Sequence, residues 1–173
     1  MTTLDAVQFR AALSRFASGV TVVTARAGDG SDHGMTVSAF SALSLEPPLV
    51  LVCLDETATL LPHLLAAATF GVSILGAAQG ELSRRFADQA IDRFDGVSFI
   101  RAASGPALLD GAVAHLECRR TAVHHGGDHA IVVGEVLSAR TFAEEPLVYF
   151  HRWYGRFERQ PGDPHTETGE FEG

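Results

Sequence analysis

The chain has 173 residues, 46% hydrophobic and 20% charged, a composition that excludes intrinsic disorder and suits one domain with its own core. A formal net charge of −8 excludes a sequence-independent grip on nucleic acid or on an anionic membrane surface. No apolar run approaches the ~18 residues needed to cross a bilayer, and no basic segment followed by an apolar run marks a secretory signal, so a soluble cytoplasmic protein is expected. All thirteen basic residues are arginines, which reads first as a codon preference. Cys53 and Cys118 lie in apolar strand-like runs without CxxC spacing and read as reduced core thiols.

Asp5 with Gln8 resembles a capping box, and apolar residues at helical spacing predict an amphipathic helix over residues 5–17. A strand follows over 20–27, then a hairpin turn at Gly28-Asp29-Gly30-Ser31-Asp32. The run from Gly34 to Ser44 reads as one strand carrying Thr36, Ser38, Ser41 and Ser44 in a segment otherwise patterned for burial. Buried hydroxyls require partners, either from the backbone or from something polar and planar alongside. Glu46-Pro47-Pro48 is a turn, and Leu49 to Leu54 is apolar throughout, as in a strand buried on both faces. Thr59 is placed to cap a helix reaching residue 68, with Pro62 in its first turn. A strand at 70–75, a short polar helix at 80–87 and a loop at 89–96 come next. A strand over 97–101 precedes the turn Ser104-Gly105-Pro106.

Residues 112–123 alternate as a half-buried antiparallel strand, with Val113, His115, Glu117 and Arg119 on one side. The turn His124 to His129 returns the chain along 130–139, and 147–150 is the last strong strand. From 159 the tail is acidic, rich in glycine and proline, and expected to be disordered, which leaves 1–158 as the domain. Few helices and many hairpins predict a mainly β protein, a closed or nearly closed antiparallel barrel with a few peripheral helices. The absence of GxGxxG and GxxxxGK[ST] excludes a Rossmann dinucleotide site and a P-loop.

Three histidines crowd the turn at 124, 125 and 129. Their HHxxxH spacing lacks the register of zinc hydrolases, so no metal site is expected. No GxSxG elbow surrounds Ser38, Ser41 or Ser44, which excludes the usual nucleophile geometry. Arg84-Arg85, and Arg152 beside Trp153-Tyr154, are the concentrated positive spots. They are either solvated surface arginines or a grip on an anionic phosphate.

Several linked motifs then fall into one pattern. Phe16-Ala17-Ser18-Gly19-Val20-Thr21-Val22-Val23-Thr24, Gly34-Met35-Thr36-Val37-Ser38-Ala39-Phe40, Ser44-Leu45-Glu46-Pro47-Pro48, Leu82-Ser83-Arg84-Arg85-Phe86-Ala87, and Gly127-Asp128-His129 with Gly134-Glu135-Val136 occur in order without large gaps. Together, over about residues 6 to 157, they resemble the short-chain NAD(P)H:flavin reductases, the small reductase partners of two-component flavin monooxygenases. The resemblance implies an FMN-binding split β-barrel, Greek-key-like and antiparallel, usually a homodimer. It implies hydride transfer from NADH or NADPH to FMN or FAD, with reduced flavin passed to a partner monooxygenase.

On that resemblance the flavin lies along Thr36, Val37, Ser38, Ala39, Phe40 and Ser44. Its ribityl-phosphate end meets Cys53, Leu54, Asp55, Thr57 and Thr59, with Arg84, Phe86 and Ala87 nearby. His129, as positioning or catalytic residue, and Arg152 with Tyr154 would border the nicotinamide. Many relatives carry Lys-Ser-Ser-like residues where this chain has Glu56-Thr57-Ala58-Thr59. Glu56 cannot hold a phosphate, so the grip falls to hydroxyls, amides and arginines, and the choice of FMN or FAD stays open. A flavin- or haem-binding barrel without nicotinamide oxidation is the alternative. A pyridoxamine-phosphate-oxidase-like enzyme would need dense basic contacts that are absent.

Overall fold

The computed structural model describes residues 4–88 and 92–159. Asp5 opens helix α1 (Ala6–Leu13) by accepting the Val7 amide at 3.1 Å, satisfying one of the free donors of the first turn. The helix stops at Ser14, short of the expected residue 17, and none of its residues is buried. After the short β1 (Ser18–Gly19), β2 (Thr21–Arg26) and β3 (Asp32–Val37) form the expected hairpin. Its turn uses Gly30 at φ +87°, a conformation open to glycine without steric cost.

The run from Gly34 to Ser44 is not one strand. β3 ends at Val37, the chain bends at Ser38-Ala39, and β4 (Phe40–Ser44) starts a new ladder. Glu46–Pro47 is cis and turns the chain into β5 (Leu49–Asp55). The expected two-face burial of β5 gives way to alternation, with Val50, Val52 and Leu54 buried and Leu49, Leu51 and Cys53 half-buried. A curled sheet has one interior face, and among the described residues no helix layer covers the outer face of β5. Helix α2 (Leu61–Ala66) has Pro62 in its first turn, but Leu60, not Thr59, occupies the N-cap and provides no side-chain cap.

The remaining elements are β6 (Thr69–Ile74), α3 (Gly80–Ala87), β7 (Phe99–Arg101), β8 (Ala107–Leu109), β9 (Ala114–Gly126), β10 (His129–Thr141), β11 (Leu147–Phe150) and β12 (Trp153–Arg156). Loop residues 89–91, and the acidic tail from residue 160 on, lie outside the described residues.

The main sheet has the order β3-β2-β6-β9-β10-β5-β4, with every pairing antiparallel. Its edge strands β3 and β4 are consecutive in the chain, so the bend at Ser38-Ala39 carries the chain from one edge to the other and closes the barrel. Inside lies a core that includes Val23, Val52, Leu54, Leu64, Phe70 and Val132. Each fully buried side chain of this size contributes about 1.5–3 kcal/mol. A second core, with Val20, Val22, Leu75, Phe86, Leu109 and Leu147, joins the barrel to α3, β8 and β11. The polar side of β9 is buried at His115 and Glu117, 4% and 7% exposed, and solvated only from Arg119 on. The β8 segment and the turn before it cover both, His115 Nε2 donating to the Leu109 carbonyl at 2.7 Å and Glu117 accepting the Ser104 amide. A smaller sheet, β1-β11-β12, sits beside the barrel.

Candidate functional site

Closing the barrel brings three separate stretches to one rim. The Cys53 amide donates to the Ala39 carbonyl at 2.9 Å, which fixes the Ser38-Ala39 bend beside the end of β5. On the other side of β5, Asp55 lies opposite His129 in register. Residues 38–40, 53–55 and 129 therefore stand on three neighbouring chains, ~10 Å across at ~4.8 Å per interval. Ser38, Ala39 and Asp55 are exposed, and Phe40, Cys53 and His129 are half-buried. Small side chains and a main chain outside the ladders leave this rim open to close approach by a flat polar ring, which fits the isoalloxazine of a flavin.

Not every expected contact lies there. Val37, Leu54 and Phe86 are 4%, 0% and 0% exposed, so their side chains belong to the two cores and only their main chain remains for a ligand. Ser38 and Ser41 are exposed rather than buried, and the Ser41 hydroxyl donates to the Ala42 carbonyl. Ser44 pairs with Leu49, at the opposite end of β5 from Asp55. Six residues at ~3.4 Å place it ~20 Å along the strand from the rim.

Helix α3 is tied to the rim by hydrogen bonds. Thr36 Oγ1 donates to the Ser83 carbonyl at 2.7 Å, and the Ser83 hydroxyl meets the Tyr154 hydroxyl at 2.8 Å. The Arg84 guanidinium lies 5.0 Å from the Tyr154 ring centroid and pairs with Glu81 one turn earlier. Ala87 is exposed at the end of the helix. Arg152 occupies the β11–β12 turn with His151, at φ +70° and +50°. Two consecutive non-glycine residues in the left-handed region are costly, and the turn is held by the His151 amide donating to the Ser14 carbonyl at 2.9 Å. Tyr154 thus reaches the Thr36 strand through Ser83, whereas no hydrogen bond or ring contact links His129 to Arg152 or Tyr154 among the described residues.

The electrostatics at the mouth are local. Asp55 Oδ1 accepts both the Thr57 amide (2.7 Å) and the Thr57 hydroxyl (2.6 Å). Those bonds, with the nearby His129, hold its carboxyl below the usual range. The Thr57 hydroxyl proton is therefore already committed to a carboxylate. Asp128 Oδ1 lies 2.7 Å from His129 Nδ1, and this bond depresses the Asp128 carboxyl. Oxygens of Asp55 and Asp128 and a ring nitrogen of His129 lie within 4.8 Å of one another. His124 and His125 are on strand β9 rather than in the expected turn, which is only Gly127-Asp128, and they do not join the cluster: His125 Nδ1 is 3.0 Å from Glu56 Oε1, and His124 is exposed. Glu56, the residue expected not to help hold a phosphate, is thus turned to an imidazole.

Three further residues border this region and escape the sequence reading. Arg93 donates to the carbonyls of Gly34 and Asp88, each at 2.6 Å, and its Nη1 lies 3.4 Å from Thr59 Oγ1. Partial burial lowers the pKa of this guanidinium. His33, on β3, and His63, on α2, stack face to face with centroids 3.4 Å apart and planes at 7°. Arg93 meets partners 34 and 59 residues away, so nothing in its local sequence announces it.

Comparison with known proteins gives the family and the fold. The family model described as "Flavin reductase like domain" matches residues 13–158. A Streptomyces globisporus protein named NADH-dependent FAD reductase is 42% identical over 160 residues, covering 90% of this chain and 86% of that protein. The reductase component of 4-hydroxyphenylacetate 3-monooxygenase from Thermus thermophilus is 47% identical over 153 residues, covering 86% and 94%. The solved structure of the Streptomyces globisporus C-1027 NADH:FAD oxidoreductase, in complex with NAD and FAD fragments, superposes with a TM-score of 0.86. It has 39% sequence identity and covers 93% of this chain and 99% of that one.

Proposed function

The chain belongs to the flavin reductase-like domain family, and on that premise we propose that it is an NADH-oxidising flavin reductase. It acts on FMN or FAD and supplies reduced flavin to a partner monooxygenase. The observation that carries the reading is the open rim where the Ser38-Ala39 bend, the end of β5 and His129 stand side by side. The named relatives support it, since they include an NADH-dependent FAD reductase and a monooxygenase reductase component.

Bound flavin supplies the redox chemistry by accepting hydride from the dihydronicotinamide. The protein's residues bind and orient. Main-chain groups and small side chains over 36–40 allow close approach of the ring, and Cys53 to Asp55 line its other edge. Asp128 fixes a proton on His129 Nδ1, because a carboxylate only accepts. In the neutral ring His129 Nε2 is then an acceptor, suited to an amide N–H of the nicotinamide carboxamide. Tyr154, held through Ser83, and Arg152 form the second border of the nicotinamide site. No acid–base dyad is needed for such a transfer.

A second copy of the chain completes the assembly in this reading, since α1 and β12 present large apolar side chains to solvent in the single chain. The test crosses NADH and NADPH with riboflavin, FMN and FAD on purified protein. Nicotinamide oxidation that depends on added or co-purified flavin, and is faster with NADH, is expected. No oxidation with any flavin would leave only a binding protein on this barrel.

A further inference from the structure

We propose that the Arg93 guanidinium and the stacked His33–His63 pair form an adenylate subsite continuing the flavin site beyond Thr59, which makes FAD a better ligand than FMN. The inference rests on the flavin reading above and deepens it. Thr59 is where the phosphate end of the flavin is expected, and Thr57, the other expected hydroxyl, has its proton on Asp55. A cation that reaches Thr59 is Arg93, with Nη1 at 3.4 Å from the Thr59 hydroxyl. Its Nε and Nη1 are spent on the Asp88 and Gly34 carbonyls. These bonds, with the Asp88 carboxylate nearby, hold the group in place, and among the described residues no hydrogen bond takes up Nη2, whose donors suit phosphate oxygens.

Next to Arg93 come the two imidazoles. Gly34, whose carbonyl Arg93 holds, directly follows His33 in β3, and His63 is four residues beyond Thr59. Both rings are half-buried and lie parallel at 3.4 Å. His33 is further fixed by Ser31, whose hydroxyl lies 3.0 Å from its Nε2. Two stacked rings held from separate elements make a rigid flat platform, and a purine stacks on such a surface with little regard to its edges. FMN ends at its single phosphate and would reach only Thr59 and Arg93. FAD carries a second phosphate and an adenosine, enough to extend from Arg93 onto the imidazoles.

The test is a fluorescence titration of the purified full chain with riboflavin, FMN and FAD. FAD is expected to bind about tenfold more tightly than FMN, the scale of one stacked base. In His63→Ala, and separately in His33→Ala, the ratio of FAD to FMN affinity should fall towards one. Adenosine diphosphate should compete with FAD in the wild-type chain and leave riboflavin bound, a measurement that does not depend on a variant folding. Equal wild-type affinities for FMN and FAD, an unchanged ratio in both histidine variants, or no competition by adenosine diphosphate would each overturn the subsite. Failure of every flavin to bind would instead overturn the underlying flavin reading.

Discussion

His129 stands at the rim beside Asp55 with its Nδ1 proton held by Asp128, so Nε2 is the ring nitrogen available to a ligand. Replacing it with alanine should raise KM for NADH or slow flavin reduction by about tenfold, a loss of ~1.4 kcal/mol in transition-state binding. Flavin affinity should change by less than about twofold, since the ring is assigned to the nicotinamide. Stopped-flow reduction with separate flavin titration checks both, and equal turnover in the variant removes His129 from the site. Ser83 illustrates a different dependence. Its carbonyl holds Thr36 and its hydroxyl meets Tyr154, so Tyr154→Phe should weaken NADH more than flavin. Among the cysteines, burial and the neighbouring Glu117 push the Cys118 thiol up to about 12. A raised thiol pKa favours the protonated folded state, so this contribution is intact below the unfolded pKa near 8.5 and declines as pH rises towards the folded value. Thiol labelling at pH 8 should therefore modify half-buried Cys53 and leave Cys118 untouched until the chain unfolds.

Elements differ in how plainly their residues announce them. Helix α3 over Gly80–Ala87 and strand β11 over Leu147–Phe150 occur at their expected bounds, because a charged helical face and a short β-branched and aromatic run carry local signals. β9 and β10 share a long ladder with register shifts between Val133 and Gly134 and between Val136 and Ser138. Gly134 is required there: a Cβ would fall 2.4 Å from Phe70 Cζ and 3.1 Å from Cys118 Cβ. Gly134→Ala should cost about 1–3 kcal/mol in a urea melt; an unchanged midpoint would mean that the Phe70 ring can move aside. The division of Gly34–Ser44 into β3 and β4 was not legible, since no glycine or proline marks Ser38-Ala39. The break follows from closing a sheet, which is a property of all its strands together. The alternating burial of β5 was hidden for the same reason, as its outward residues are as apolar as its inward ones. At the β3–α2 junction, burial and then His63 lower the pKa of His33, opposed by Asp29 and Asp32 and reinforced by Arg93. A depressed imidazole pKa gives stability that is full above the ordinary 6.5 and lost as pH falls through the folded value. Melting temperatures from pH 8 to 5 should fall, and less steeply in His33→Asn; identical slopes would remove the stacked pair as the cause.

For the whole molecule, the linked motifs revealed the barrel, whereas the surface that α1 presents could be seen only in three dimensions. The apolar spacing of that helix suggests an inward face, yet Val7 is 71% and Leu13 57% exposed, and Phe16 just beyond it 79%. The helix is anchored beside the small sheet by the bond from the His151 amide to the Ser14 carbonyl. That sheet carries Phe150 at 44% and Trp153 at 77% exposure. Isolated exposed apolar residues are ordinary, but a helix with no buried residue beside an exposed aromatic hairpin marks an association surface. The strained turn at His151-Arg152 lies in the same region, tied to the end of α1 by that bond. A second copy covering this surface would order the helix and set Arg152 and Tyr154 at the subunit boundary. Sedimentation at micromolar concentration should then give twice the 18.4 kDa of one chain. Phe16→Glu or Trp153→Glu should weaken association by about 2 kcal/mol or more if these rings are central, close to a thirtyfold rise in Kd. The barrel core should melt nearly as before, because neither ring belongs to it. A wild-type chain that sediments as a monomer across that range would show that α1 is covered by something other than its own copy.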